Sequence, residues 1–202
     1  MTGVQTCALP ISAQDGTPFG LAFSSDGTKA YIVGLVNDTI YQYTLSTPWD
    51  ISTGTYASKS LSVAAQSTGP SGLAFSSDGT KAYVVERSTS NTIYQYTLSA
   101  AWDISTGSYA SKSLVVAGQE SNTEDLAFSS DGTKAYIVGL LYNTIFQYTL
   151  STAWDISTGS YASKSLAAQD SNTYSLAFSG DGAKAYTLGS TSDRIYQYTL
   201  VD

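Results

Sequence analysis

One unit of about fifty residues is written four times along this chain of 202 residues, and that repetition limits the available folds more than any other feature. Leu21, Leu73, Leu126 and Leu176 open the four copies, at spacings of 52, 53 and 50 residues. Each copy begins L-A-F-S-x-D-G-x-K-A-Y and reaches I-[YF]-Q-Y-T-L; the first three continue through W-D-I-S-T-G-x-Y-A-S-K-S-L. A unit of this length must bury its apolar surface against its neighbours, so the fold follows from what one unit can form.

Within a unit the apolar residues alternate, and helical spacing is absent. Four strand signals follow one another. Strand a covers residues 20–24, and Asp26-Gly27 supplies the positive φ of a tight hairpin. Strand b covers 29–34 and is apolar on both faces. Strand c covers 39–46, a longer loop spans 47–56 with Trp49 and Asp50, and strand d covers about 58–65. Strand d is half polar and carries Lys59, as befits an outer edge. A four-stranded meander with a two-faced interior and a polar outer strand is a propeller blade. The expected fold is therefore all-β: a β-propeller of four four-stranded antiparallel blades, either a closed four-blade ring or an arc of a larger propeller.

The segment Leu21-Ala22-Phe23-Ser24-Ser25-Asp26-Gly27-Thr28-Lys29-Ala30-Tyr31-Ile32-Val33 resembles the F-S-P-D-G repeats of the YVTN/NHL-like bacterial β-propellers, whose relatives include lactonase-like propellers. The likeness runs from Leu21 to Leu200. It departs at the residue before Asp, where the usual Pro is Ser25, Ser77, Ser130 or Gly180. The resemblance implies the fold strongly and an activity weakly, because such propellers include surface, scaffold, phage-associated and lactonase-type proteins. The Trp-Asp pairs do not make WD40 repeats, since the period is too long and no Gly-His partner exists.

Residues 1–11 match nothing downstream and hold the chain's only Met and only Cys. They resemble the translation of a sequencing-library adapter, so 1–12 is set aside as a leader that could contribute to an outer strand, and the repeat domain is taken as 13–202. Strands a, b and c occur four times but d only three times; Ile11 to Asp15 aligns with Leu166 to Asp170, the end of a d strand. The chain's start is thus a candidate clasp for the last blade.

Composition excludes several functions. The chain has no His, which rules out a Ser-His-Asp triad, a Cys-His dyad and any His-bearing metal site. The formal charge of −7 argues against nucleic acid and anionic membrane as partners. No apolar run approaches the length of a membrane-spanning helix. Low charge and abundant Tyr, Gly, Ser and Thr lean towards an extracellular, cell-surface or virion-surface protein, bacterial or phage in origin.

A meander places the a–b and c–d loops on one rim and the b–c and d–a loops on the other. The first set is nearly identical from copy to copy; the second set diverges. The uniform rim carries seven Asp and seven Lys. The variable rim carries Asp15, Asp38, Glu86, Glu120, Glu124, Asp125, Asp170 and Asp193 against Arg87 and Arg194, a net −6. Variable loops on a rigid frame are where scaffolds place recognition. The candidate ligand-binding residues are therefore Asp38, Glu86, Arg87, Glu120, Glu124, Asp125, Tyr142, Asp170, Tyr174 and Asp193. They could form an acidic mouth for a protein, a glycan or a small polar ligand, or could simply be solvated loops. The first reading is a non-enzymatic binding or surface module; the alternatives are a lactonase-like hydrolase and a purely structural repeat of a surface or phage fibre protein. No catalytic residue is assigned and no cofactor is expected, although the acids leave calcium open. Trp49, Trp102 and Trp154 recur in identical loops and read as packing pegs.

Overall fold

The computed structural model describes residue 9 and residues 11–200. Blade 1 comprises β1 (Pro18–Phe23), β2 (Lys29–Gly34), β3 (Thr39–Leu45) and β4 (Gly54–Ser62). Blade 2 comprises β5 (Pro70–Phe75), β6 (Lys81–Glu86), β7 (Thr92–Leu98) and β8 (Gly107–Val115). Blade 3 comprises β9 (Thr123–Phe128), β10 (Lys134–Gly139), β11 (Thr144–Leu150) and β12 (Gly159–Ala167). Blade 4 has three strands, β13 (Thr173–Phe178), β14 (Lys184–Gly189) and β15 (Arg194–Thr199). Every blade is an antiparallel meander in sequence order, giving a four-blade β-propeller arrangement.

The Asp-Gly hairpins form for the reason the sequence gives. Gly27 has φ +68, and the Asp26 carboxylate accepts from Ser24 Oγ (2.6 Å), Thr28 N (3.0 Å) and Thr28 Oγ1 (2.8 Å). The hydrogen bond from Ser24, followed by those from Thr28, holds the Asp26 carboxyl at about 2. The same Gly must lack a side chain for a second reason: a Cβ would run into the Trp49 indole. Trp102 and Trp154 cover Gly79 and Gly132 in the same way, so the tryptophans are packing pegs.

The outer strand begins earlier than expected, at Gly54 rather than residue 58. Most of the anticipated loop is a single 3-10 turn, Ile51–Thr53, capped by Asp50 through Ser52 N. The alternation that masked this start is broken by a bulge. Ser58 sits at φ +55, and the register shifts where Gln42 faces Lys59 and Tyr43 faces Tyr56. Strand a also starts earlier, at Pro18.

The cores lie between blades. Val33 and Ile40 of blade 1 meet Ala82, Val84, Tyr96 and Ile104 of blade 2. Val85 and Ile93 of blade 2 meet Ala135, Ile137, Tyr148 and Ile156 of blade 3. Covering an aliphatic side chain of this size is worth about 1.5–3 kcal/mol. Three polar links recur at each of these junctions. Tyr31 Oη donates to Trp102 O and Tyr83 Oη to Trp154 O, both at 2.7 Å. Ile104 N donates to Gln42 Oε1 and Ile156 N to Gln95 Oε1, both at 2.9 Å. Lys59 pairs with Asp103 and Lys112 with Asp155.

Innermost strands meet in the order β1, β5, β9, β13. Among the described residues no comparable contact joins β13 to β1, so the blades form an arc. The clasp expected of the N-terminal segment is not made within these residues: blade 4 remains three-stranded, and Leu9 and Ile11 pack instead against Ala30, Ile32 and Tyr43 of blade 1. The physical reason is that this segment leads directly into β1 and occupies the position that the Leu61 stretch takes beside blade 2. Leu9 covers Gly54 as Leu61 covers Gly107. Residues 1–8 and 10 of the proposed leader lie outside the described residues.

Candidate functional site

On the variable rim each blade must satisfy the amides of its b–c loop, and one carboxylate per blade does so. Asp15 accepts from Thr17 N (2.7 Å) and Asn37 N (3.1 Å). Glu120 accepts from Asn122 N (2.9 Å), Leu141 N (3.2 Å) and Tyr142 N (3.1 Å). Asp170 accepts from Asn172 N (3.0 Å), Thr191 N (3.2 Å) and Ser192 N (3.0 Å). Each fills the space over a glycine at the end of strand b, Gly34, Gly139 or Gly189. Blade 2 inverts the arrangement. Ser67 stands where the acid should be, and Glu86 replaces the glycine. Glu86 accepts from Ser88 N (2.8 Å), Thr89 N (3.0 Å) and Ser90 N (2.7 Å). Burial pushes its carboxyl up, but hydrogen bonds from Ser88 and Ser90 outweigh that and hold it at about 2. These four buried acids are loop caps, which accounts for half of the rim's carboxylates.

A second repeated position ends each b–c loop in the left-handed region: Asp38 (φ 46), Asn91 (φ 46), Asn143 (φ 48) and Asp193 (φ 52). Asp and Asn tolerate this conformation better than other side chains. Asn91 Oδ1 accepts from Thr123 N (3.0 Å) and Asn143 Oδ1 from Thr173 N (3.2 Å), each reaching the next blade. The blade 2 counterpart of those threonines is Pro70, which has no N–H. Asp38 Oδ1 is correspondingly buried without a hydrogen-bond partner. Burial, reinforced by the charge of Asp15, raises the Asp38 carboxyl above its usual range.

The innermost strands bring four unlike residues to one repeated position: Phe19, Ser71, Glu124 and Tyr174. Arg87 reaches across from the b–c loop of blade 2. Its Nη1 lies 2.7 and 2.8 Å from the two Glu124 carboxylate oxygens, and its guanidinium sits 4.0 Å from the centre of the Phe19 ring. Among the described residues, Nη2 and Nε of Arg87 make no hydrogen bond to protein. Burial raises the Glu124 carboxyl above its ordinary value against the pull of Arg87. A cleft of about 610 Å³ opens here, lined by Phe19, Arg87, Ser88, Ser121, Asn122, Glu124, Leu140 and Tyr174. Its walls combine two aromatic rings, a cation with unused donors, and small polar groups, a set suited to a small polar ligand.

Of the residues anticipated on this rim, Arg87, Glu124 and Tyr174 line the cleft. Glu86, Glu120 and Asp170 are turned inward as caps. Asp125 diverges from Glu124: it accepts from Leu126 N (2.8 Å), Ser175 Oγ (3.0 Å) and Leu176 N (2.9 Å), tying β9 to β13. Burial raises its carboxyl to about 6, although those hydrogen bonds pull it down. Asp38, Tyr142 and Asp193 do not line the cleft; Tyr142 packs edge-on against Phe146 instead. Sequence reasoning missed Phe19, whose signal was its place opposite Ser71, Glu124 and Tyr174 in otherwise matching copies. Among the described residues no three potential metal ligands gather, and no helix is long and apolar enough to cross a membrane.

No family model matches the chain, and no curated protein matches its sequence. Solved structures do match its fold. One is a candidate 6-phosphogluconolactonase from Bacteroides uniformis, with TM-score 0.62 and 16% identity, covering 96% of this chain and 54% of that one. Another is the periplasmic gluconolactonase of Pseudomonas aeruginosa, with TM-score 0.57 and 16% identity, covering 90% and 49%. A chain of the mitotic checkpoint complex matches with TM-score 0.56 and 16% identity, covering 92% and 51%. The chain therefore spans about half the length of these structures and shares their propeller fold, including that of lactonase-like propellers. Likeness at this identity shows the fold, and an activity has to be argued from the site.

Proposed function

We propose that the variable-rim cleft binds a small polyhydroxylated, carbonyl-bearing ligand of the sugar-lactone class, and that the chain belongs functionally with lactonase-type propellers. The observation carrying this reading is Arg87. Its guanidinium is anchored by Glu124 and Phe19 yet keeps donors for a ligand oxygen. In lactone hydrolysis water adds to the ring carbonyl, the ring C–O bond breaks with the ring oxygen leaving as a hydroxyl, and the hydroxy acid formed ionises to its carboxylate and one proton. Arg87 is placed to stabilise the oxyanion that develops. Glu124 is the nearest acid–base group, and Phe19 and Tyr174 offer apolar walls to the sugar ring. The fold likeness to two proteins named for lactonase activity supports the reaction class. The periplasmic relative supports an address outside the cytoplasm.

A second reading, a binding module without turnover, is favoured by one observation: Glu124 is already paired with Arg87, and Glu86, Glu120 and Asp170 are occupied by loop amides. The experiment is acid release from D-glucono-δ-lactone in a pH-stat, alongside calorimetric binding. Lactonase function gives release above the spontaneous rate, lost in Arg87→Ala. Saturable binding without excess release selects the binding module. Neither binding nor release refutes both.

A further inference from the structure

Phe19, Ser71, Glu124 and Tyr174 share more than a repeated position: each falls where the innermost strand slips by one residue against strand b. Pro18 faces Gly34 while Gly20 faces Val33, which leaves Phe19 unmatched. Thr123 faces Gly139 while Asp125 faces Val138, which leaves Glu124. Thr173 faces Gly189 while Ser175 faces Leu188, which leaves Tyr174. The slip in blade 2 lies between Pro70 and Leu73. A bulge of this kind re-aims a side chain, but it also takes the residue out of the ladder that would hold it. The walls of the cleft therefore need something other than sheet pairing to keep their spacing.

We propose that Asp125 is the positioning residue of the cleft: it clamps the Glu124 bulge of blade 3 to the Tyr174 bulge of blade 4 and so fixes the spacing of the two walls. Asp125 follows Glu124 directly. Its Oδ2 accepts from both residues that follow Tyr174, Ser175 Oγ at 3.0 Å and Leu176 N at 2.9 Å. Its Oδ1 accepts from Leu126 N at 2.8 Å, which ties the carboxylate to its own strand. One carboxylate thus grips the chain immediately beyond both bulges. Blade 2 leaves it room: Gly72 lies beside it, and a Cβ there would stand 3.0 Å from Asp125 Cα and 3.1 Å from Oδ1.

The other inner junctions are joined differently. The residue in the Asp125 position is Gly20 in blade 1, Gly72 in blade 2 and Ser175 in blade 4. Between blades 2 and 3 a single hydroxyl makes the link, Ser71 Oγ donating to Thr123 O at 3.1 Å. The charged acceptor sits instead at the junction that the cleft straddles, and hydrogen bonds to an ionised group are about twice as strong as neutral ones. Arg87 is held by both Glu124 oxygens, at 2.7 and 2.8 Å, so it takes its place from Glu124. The clamp therefore also sets where the guanidinium stands relative to Tyr174. Its effect on affinity rests on the ligand reading given above; the clamp itself does not.

The test compares Asp125→Ala and Asp125→Asn with the wild-type chain by backbone amide NMR, first without ligand and then with D-gluconate. It is run at pH 7, above the value of about 6 that burial gives the Asp125 carboxyl. Asn keeps a side-chain oxygen for Ser175 and Leu176; Ala keeps none. Without ligand, the Leu176 amide should exchange about tenfold faster in Asp125→Ala and at the wild-type rate in Asp125→Asn, with the Tyr174 signal moved only in the former. Gluconate affinity should be about tenfold weaker in Asp125→Ala and within about threefold of wild type in Asp125→Asn. Equal losses in the two variants overturn the proposal, since charge rather than the shared oxygen would then be responsible. So do unmoved Tyr174 and Leu176 signals in Asp125→Ala, or full affinity despite faster Leu176 exchange. Ser175→Ala removes one donor and leaves the carboxylate, which covers the case in which Asp125→Ala does not fold: it should move Tyr174, and an unmoved Tyr174 overturns the clamp. A wild type that binds no gluconate refutes the ligand reading, and the ligand-free signals then support or overturn the clamp on their own.

Discussion

Asp38 and Pro70 stand across the junction between blades 1 and 2 at the positions where Asn91 and Thr123 are hydrogen-bonded across the next. The proline has no N–H to give, and Asp38 Oδ1 is left buried without a partner. One substitution in each blade changes both the donor and the acceptor.

The double variant Asp38→Asn/Pro70→Thr should install the missing bond and remove a buried carboxylate. The expected gain is about 1 kcal/mol, the usual net worth of one intramolecular hydrogen bond, measured by urea unfolding. Pro70→Thr alone should also be stabilising, since its N–H gives the buried Asp38 Oδ1 the donor it lacks.

The capping acids predict a swap. Glu86→Ala leaves the donors of Ser88, Thr89 and Ser90 unsatisfied and should cost about 3 kcal/mol, as for charged hydrogen bonds. Ser67→Asp/Glu86→Gly rebuilds the arrangement of Asp15 and Gly34 and should recover more than half of that loss. The coupling is read from the double-mutant cycle.

Asp125 predicts a pH dependence of one sign. Its folded carboxyl is raised to about 6 from an ordinary 3.8, so the folded chain holds that proton more tightly than the unfolded chain. The stability this adds is fully present below 3.8 and lost as pH rises through 6. Glu86 acts oppositely: its contribution is present above 4.5 and lost as pH falls through about 2. The Asp125→Asn minus wild-type difference in Tm should therefore shift in favour of the variant between pH 4 and pH 7, by differential scanning fluorimetry.

Calcium should leave Tm unchanged at millimolar concentration. A ligand that binds the folded state stabilises it by mass action, but the oxygens of Asp15, Glu86, Glu120 and Asp170 already accept from loop amides. A rise in Tm with added calcium would show that these loops reopen around the ion.

The fold was legible because the same signals recur four times, and Asp-Gly turns and two-faced strands admit few arrangements. The outer strand was misplaced because a bulge at Ser58 breaks the alternation that would have marked its start. The acidic rim was visible as charge, but not its direction. Whether Glu120 faces solvent or the amides of Leu141 and Tyr142 depends on loop geometry that composition does not encode. Arg87, Glu124 and Tyr174 were legible as divergence among copies; Phe19 was overlooked because the segment before β1 follows no earlier blade and so was not compared with the d–a loops that carry Glu124 and Tyr174.

The mouth itself is tested most directly by titrating isotope-labelled protein with D-gluconate, the stable hydrolysis product, and following backbone amide shifts. Movement confined to Phe19, Arg87, Ser88, Asn122, Leu140 and Tyr174, and abolished by Arg87→Ala, is the predicted result. Shifts centred on the Trp-Asp loops of the uniform rim, or none at saturating gluconate, would contradict it.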